Sequence, residues 1–301
     1  MQNVESYHPD KKKSREPSRG FSRPRQNSHF GIKNDPKIIL KTAIYSITSV
    51  ILVGCLVVGA YGIIRWRAEQ DVLDEQIADI QNNTTINEIT AEAATDNSIP
   101  ASDPYWNYVN LPLMSADLTN SIATNPEAVG WIQVPGTNIN YPFVKTKDND
   151  FYLNHSLNRA WNSAGWIFLD YRNNSNLSDK NQILYGHGRT DGSMFGSLAN
   201  ILTADWQSHS EYHIVKTSTK SANSLWQVFS VYDIPVTSDY LTTNFVDASE
   251  FTNFLTLIKN RSVYDFHATL NPSDRIITLS TCSGTDHRIV LHAKLIKTVA
   301  K

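Results

Sequence analysis

The chain has 301 residues, 41% of them hydrophobic, with 27 Lys/Arg against 29 Asp/Glu for a formal charge of −2. That is enough to bury one sizeable core with appendages. Only two cysteines are present, and one of them, Cys55, lies inside an apolar stretch, which excludes an intramolecular disulfide framework.

The charges are unevenly spread. Residues 1–67 carry 12 Lys/Arg against 4 Asp/Glu, whereas residues 68–301 carry 15 against 25. Residues 1–41, basic and rich in Ser and Pro, read as a disordered tail. Thr42 to Ile64 is an uncharged run of 23 residues, long enough to cross the roughly 30 Å hydrocarbon layer as a helix and longer than the apolar part of a signal peptide. Ten Lys/Arg precede this run and only Arg65 and Arg67 closely follow it. The positive-inside rule therefore predicts a single-pass anchor at 42–64, with a cytoplasmic N-terminus and an extracytoplasmic body. Topology signalling accounts for the basic tail without nucleic acid, and no nucleic-acid partner is expected.

Residues 65–104 read as a helical stalk and linker, with Val72, Ile77, Ile80, Ile86 and Ile89 set among acids and amides. From Tyr105 to the end the texture is β-rich, with short apolar runs separated by turn signals. Strands are predicted near Trp131 to Val134, Tyr141 to Val144, Gly165 to Asp170, Gln182 to Gly186, Tyr212 to Lys216, Leu225 to Tyr232, Arg275 to Thr281 and Arg288 to Lys297. Helices are predicted at Leu113 to Asn125 and at Ser249 to Arg261, where Phe251, Phe254, Leu255 and Ile258 share a face. Eight strands and few helices imply a mainly β fold closing into a barrel. Trp131, Trp161, Trp166, Trp206 and Trp226 read as core or edge packing.

The chemistry concentrates near the C-terminus. Cys282 ends the run Thr278-Leu279-Ser280-Thr281-Cys282. A lone thiol on an exported domain is best explained by its reactivity. Arg288 opens the next strand after a five-residue connection, which brings a guanidinium back toward the sulfur, where it favours thiolate and can hold a carbonyl oxygen. Among nine histidines, His187 ends an apolar strand between two glycines in Leu184-Tyr185-Gly186-His187-Gly188. His287 is its rival, beside Arg288. His209 and His213 have helical metal-ligand spacing but lack the adjacent Glu of a zincin motif. No metal or other cofactor is expected, since no phosphate loop or paired-carboxylate site occurs.

These residues carry a family resemblance. Thr278 to Cys282, Arg288 and Ile183-Leu184-Tyr185-Gly186-His187-Gly188-Arg189-Thr190-Asp191-Gly192-Ser193-Met194-Phe195 resemble the sortases. The second stretch is most similar to class B, as are Asp148 to His155, Gly165 to Asn173 and the helical insertion ahead of the Cys strand. The resemblance covers roughly residues 110–297. It implies an eight-stranded sortase-like barrel with N-terminal helices over 105–301, working as a cysteine transpeptidase of the Gram-positive surface. By carry-over, Cys282 attacks the Thr carbonyl of a C-terminal sorting signal on a secreted protein, His187 protonates the leaving amine, and Arg288 steadies substrate carbonyls and the oxyanion. Ser280 and Thr281 become candidate substrate contacts. The acceptor would be an amine of peptidoglycan or a pilin lysine. The connection between Cys282 and Arg288 is shorter than the class B resemblance implies. An L,D-transpeptidase is the alternative enzyme, but its signature places His-Gly just before the Cys. A non-catalytic surface-binding ectodomain is the alternative outside enzymology.

Overall fold

The computed structural model describes residues 35–91, 99–281 and 286–301. The chain divides into two compact units, Met1–Ala60 and Tyr61–Lys301. The described part of the first is helical throughout and belongs to α1 (Pro36–Asn82), whose side chains from Ile38 to Ile64 are exposed. It contains the one helix among the described residues that is long and apolar enough to cross a membrane.

In the second unit, α1 continues to Asn82 and becomes amphipathic, burying Leu73 and Ile80 in the main core with Ile77 packed partly against it. That spacing keeps the three side chains on one face. A two-stranded antiparallel sheet follows, made of β1 (Ile86–Ile89) and β2 (Leu113–Ala116), with the short helix α2 (Tyr105–Tyr108) between them. Leu113 to Asn125, expected to be one helix, is split. Leu113–Ala116 pairs as β2, and only α3 (Thr119–Thr124) is helical. The cause is local: Asp117 Oδ1 accepts from both the backbone N–H and the hydroxyl of Thr119, starting a turn that breaks the run.

The remaining strands are β3 (Ala128–Gln133), β4 (Asn140–Val144), β5 (Phe168–Leu169), β6 (Asn181–Gly186), β7 (Ile214–Thr219), β8 (Ala222–Pro235), β9 (Ile276–Thr281) and β10 (His287–Ala300). They close into a barrel in the order β10-β8-β7-β3-β4-β5-β6-β9, the mainly β, eight-stranded architecture expected. The predicted strand at Gly165 to Asp170 is the shortest, pairing through only two residues, because Gly165 at φ +61 turns the chain before it. Closure removes exposed strand edges and surrounds a core in which Trp131, Trp166, Trp206 and Trp226 are buried. Trp161 is the exception, 55% exposed.

Two features fix the end of the barrel that matters for chemistry. β6 and β9 pair in parallel, Asn181 with Ile276 through Gly186 with Thr281, so both strands run out at the same end. All six residues of each are buried, and among the polar side chains bonded internally are Thr278, Asn181 and Ser280, while Gln182 Oε1 has no partner among the described residues. Thr278 Oγ1 donates to Asn181 Oδ1 at 2.7 Å and lies 2.9 Å from His292 Nδ1, while Tyr232 OH lies 2.8 Å from His292 Nε2. The second feature is α5 (Ala248–Asn260), inserted ahead of β9. Its N-cap Asp247 accepts from Glu250 N–H, and Phe251, Phe254, Leu255 and Ile258 pack against Phe229, Tyr232, Tyr240, Ile276 and Val290. That packing covers the outer face of β8, β9 and β10.

Candidate active site

His187 leaves the barrel directly after β6. The strand can end there because Gly186 lets the Phe195 ring pack on the backbone; a Cβ at Gly186 would lie 2.8 Å from that ring. The following segment folds back, Phe195 N–H donating to the His187 carbonyl at 3.0 Å and Gly188 bridging to Met194. The imidazole is half-buried, with Nε2 at 2.6 Å from the Leu153 carbonyl. A carbonyl only accepts, so Nε2 carries the hydrogen in this contact.

That carbonyl is itself held. Phe151–Leu153 forms a 3-10 turn whose Tyr152 hydroxyl donates to Glu127 Oε2 and accepts from Asn125 Nδ2, each at 2.6 Å. Gly165 packs against the same turn so closely that a Cβ there would lie 2.4 Å from the Tyr152 oxygen and 2.8 Å from the Leu153 oxygen. Both lie in stretches that carry the class B resemblance, but nothing in the sequence assigns either of them a role. Leu153 acts through its backbone and leaves no side-chain signal, while Gly165 shows only its glycine.

Arg288 is the second residue of β10, opposite Ile234 of β8. β10 runs antiparallel to β9, with Val290 opposite Ser280 and Ile289 N–H donating to Thr281 Oγ1 at 2.9 Å. Arg288 therefore stands at the same barrel end as Thr281 and His187, half-buried, with Nη1 donating to the His287 carbonyl at 2.9 Å. Cys282 lies outside the described residues; it follows Thr281 in sequence as His187 follows Gly186. Of the other two candidates, Ser280 is buried with Oγ 2.9 Å from Tyr240 OH, and Thr281 lines a cleft. His287, the rival imidazole, faces Asp233, Nδ1 to Oδ1 being 3.0 Å.

Two clefts flank this end. One, of about 500 Å³, is lined by Gly188, Arg189, Thr281, Asp233, His287 and Ile289 among others. Arg189 is held by Asp191, Ser193 and, from α1, Gln70. Burial alone would raise the Asp191 pKa, but the bonds from Arg189 and Ser193 bring it down to about 2. The other cleft, of about 540 Å³, is lined by Asn149, Arg172, Tyr185, Leu241 and Thr242. Beneath it Asp170, fully buried, accepts from Arg172 Nε at 2.8 Å and Nη2 at 2.7 Å, from Tyr185 OH at 2.9 Å and from Asn149 Nδ2 at 3.0 Å. Burial opposes ionisation of this carboxyl, yet the Arg172 bonds outweigh it and its pKa lies below the ordinary value.

The remaining described histidines diverge. His209 stacks on Tyr212 at the surface, whereas His213 is buried against Trp206 and Phe266. Among the described residues no group of three His, Cys, Asp or Glu could hold a metal ion.

A sortase-domain family profile matches residues 132–296. The chain belongs to the sortase family. The sortase B of Listeria monocytogenes is 38% identical over 177 residues, 57% of this chain and 71% of that protein. The crystal structure of sortase B from Bacillus anthracis in complex with AAEK1 superposes with a TM-score of 0.62 at 32% identity, covering 76% of this sortase and 99% of that chain. A Staphylococcus aureus sortase B–substrate complex gives 0.56 at 36% identity, covering 59% and 83%. This sortase is of class B, a cysteine transpeptidase, and its long apolar N-terminal helix is consistent with a single-pass membrane anchor.

Proposed function

We propose that this sortase cleaves a C-terminal sorting signal after Thr and transfers the new carboxyl end to an amine of peptidoglycan or of a pilin. The observation that carries the catalytic assignment is the parallel pairing of β6 with β9. Gly186 stands opposite Thr281, so His187 and Thr281, the residue before Cys282 in sequence, lie at the barrel end where β10 starts, with Arg288 as its second residue. In the first step the Cys282 thiolate attacks the Thr carbonyl. The C–N bond breaks, the His187 imidazolium gives its proton to the departing amine, and a thioester remains. Arg288 donates to the oxygen that becomes negative. In the second step the acceptor amine attacks the thioester, its proton passes to the imidazole, and the C–S bond breaks to return the thiolate.

The cleft lined by Asn149, Arg172, Tyr185 and Leu241 suits an extended donor peptide. Its rim offers amide and hydroxyl partners for peptide groups, and Tyr185 is two residues before His187 on β6. The cleft on the Thr281 side leaves room for the acceptor. A Staphylococcus aureus sortase B has been solved as a substrate complex, which supports a substrate cleft in this fold. Thr42 to Ile64 anchors the enzyme, with residues 1–41 in the cytoplasm and the segment after Ile64 leading outward into the barrel through the later turns of α1. Intact-mass measurement of the full chain incubated with Thr-Gly and Thr-Asn sorting peptides tests the chemistry. A thioester adduct is expected and should be absent in Cys282→Ala. Cleavage that survives Cys282→Ala overturns the assignment.

A further inference from the structure

Four of the five tryptophans expected to pack in the barrel are buried, and the fifth is not. Trp161 is 55% exposed, on a loop that also exposes Asn158, Arg159 and Ala160. An indole there gains nothing from the core, yet the loop is firmly built. Ser156 N–H donates to the Ala160 carbonyl and Asn162 N–H to the Asn154 carbonyl, both at 2.9 Å, and His155 bridges to Trp161. The loop is also fastened to α1. The Arg65 guanidinium carbon lies 6.0 Å from the Trp161 ring centre, and Asn162 Nδ2 donates to the Glu69 carbonyl at 3.2 Å.

Arg65 is the residue immediately after the uncharged run ending at Ile64. At a helical rise of about 1.5 Å per residue, whatever touches Arg65 lies at the depth where that run ends. Trp66, next in sequence, is 54% exposed. From His155 to Ala164 there is no Asp or Glu, although the chain beyond residue 67 is net acidic. Here Arg65 is paired with Glu69 and Arg159 with Glu127, Arg67 adds a third cation, and the exposed carboxylates Asp71, Asp74 and Glu75 come later along α1. An indole, arginines with long apolar stems and few carboxylates at the end of a membrane span is the composition that sits among lipid headgroups.

We propose that the Trp161 loop docks on the outer headgroup layer of the bilayer that the chain's own helix crosses, with the Trp161 indole inserted beside Arg65 and Trp66. The inference rests on the anchor reading of Thr42 to Ile64. The loop leads directly back to Leu153, whose carbonyl accepts from His187, so the docked surface and the catalytic imidazole are joined by one short, internally bonded segment.

The test uses the full chain reconstituted in phosphatidylglycerol and phosphatidylcholine vesicles whose acyl chains carry bromine near the headgroup end. Two exposed tryptophans are available to the quencher, so Trp161→Phe and Trp161→Tyr are each expected to remove about half of the quenchable emission. Near-UV circular dichroism of both variants should match the parent, as befits an exposed position. If the chain floats with the vesicles and either well-folded variant is quenched as much as the parent, the docking proposal falls and the anchor stands. If the parent chain does not float, the anchor reading falls and takes the proposal with it. Neither readout depends on peptide cleavage.

Discussion

Gly165→Ala isolates the backbone support of His187. At φ +61 an alanine adopts a conformation that costs about 1–2 kcal/mol. Its Cβ would also lie 2.4 Å from the Tyr152 oxygen and 2.8 Å from the Leu153 oxygen, where even a tight contact needs 3.0 Å. The turn must therefore give way by about 0.6 Å or Gly165 must move by as much. Yielding is resisted, because Trp166 N–H donates to that Tyr152 carbonyl at 2.9 Å and the Tyr152 hydroxyl is bonded to Glu127 and Asn125. Strain of this kind adds about 1–3 kcal/mol, for a total loss of about 2–5 kcal/mol in urea unfolding. The shift also reaches His187 through the Leu153 carbonyl. Since misplacing a catalytic group by 1 Å costs about 100-fold, a shift of roughly half that size predicts about a tenfold fall in kcat/KM for sorting-peptide cleavage. The two readouts must move together. A variant that loses stability but cleaves at the parental rate would show that the Leu153 contact does not position the imidazole, and one that changes neither would refute the steric argument.

Other outcomes follow from the same geometry. His187→Gln, which cannot supply an imidazolium proton, should lower peptide cleavage by at least about 100-fold, measured by chromatography of the released fragment; the parent should show a bell-shaped pH–rate profile that the variant lacks. Arg288→Lys keeps the charge but loses the planar fork, and should reduce kcat by about 10- to 100-fold with little change in unfolding free energy. Asp170→Ala would remove the acceptor of Arg172, Tyr185 and Asn149 and should destabilise the fold by about 1–3 kcal/mol in chemical denaturation, the charge left on Arg172 being partly solvated. His292 is fully buried and its pKa is pushed down by burial to about 3. The unfolded state therefore binds the proton first, so this contribution is present above about pH 6.5 and lost as pH falls toward about 3, with a slope of up to about 1.4 kcal/mol per pH unit. Urea titrations across that range should flatten in His292→Gln.

How much was legible in sequence depended on which atoms carried the information. The eight barrel strands announced themselves through alternating or continuous apolar runs, and α5 through the spacing of Phe251, Phe254, Leu255 and Ile258, because burial acts on side chains. His187 stood out because glycines flank it at a strand end, and it directly follows β6. Leu113 to Asn125 was misread because four residues of a strand and six of a helix, joined at Asp117, together mimic a helical apolar pattern. Trp161 could not be told from the other tryptophans, since its exposure depends on a loop closed by backbone bonds and pinned to a helix about 90 residues earlier. The grip of the Leu153 carbonyl on His187 was beyond reach for the same reason, being main-chain chemistry.

The part of α1 beyond the apolar run is a working piece of the barrel as well as a tether. Leu73 and Ile80 fill the main core, Gln81 Nε2 donates to the Asn140 carbonyl at 2.7 Å, and Gln70 accepts from Arg189 in the segment that follows His187. Burying the two aliphatic side chains is worth about 3–6 kcal/mol, a large share of the roughly 5–15 kcal/mol that holds a domain together. A fragment trimmed to residue 105 would shed all of this and leave an open apolar furrow on the barrel wall. The smallest fragment that folds and turns over faithfully should begin before Gln70, closer to the lipid than the onset of β texture suggests.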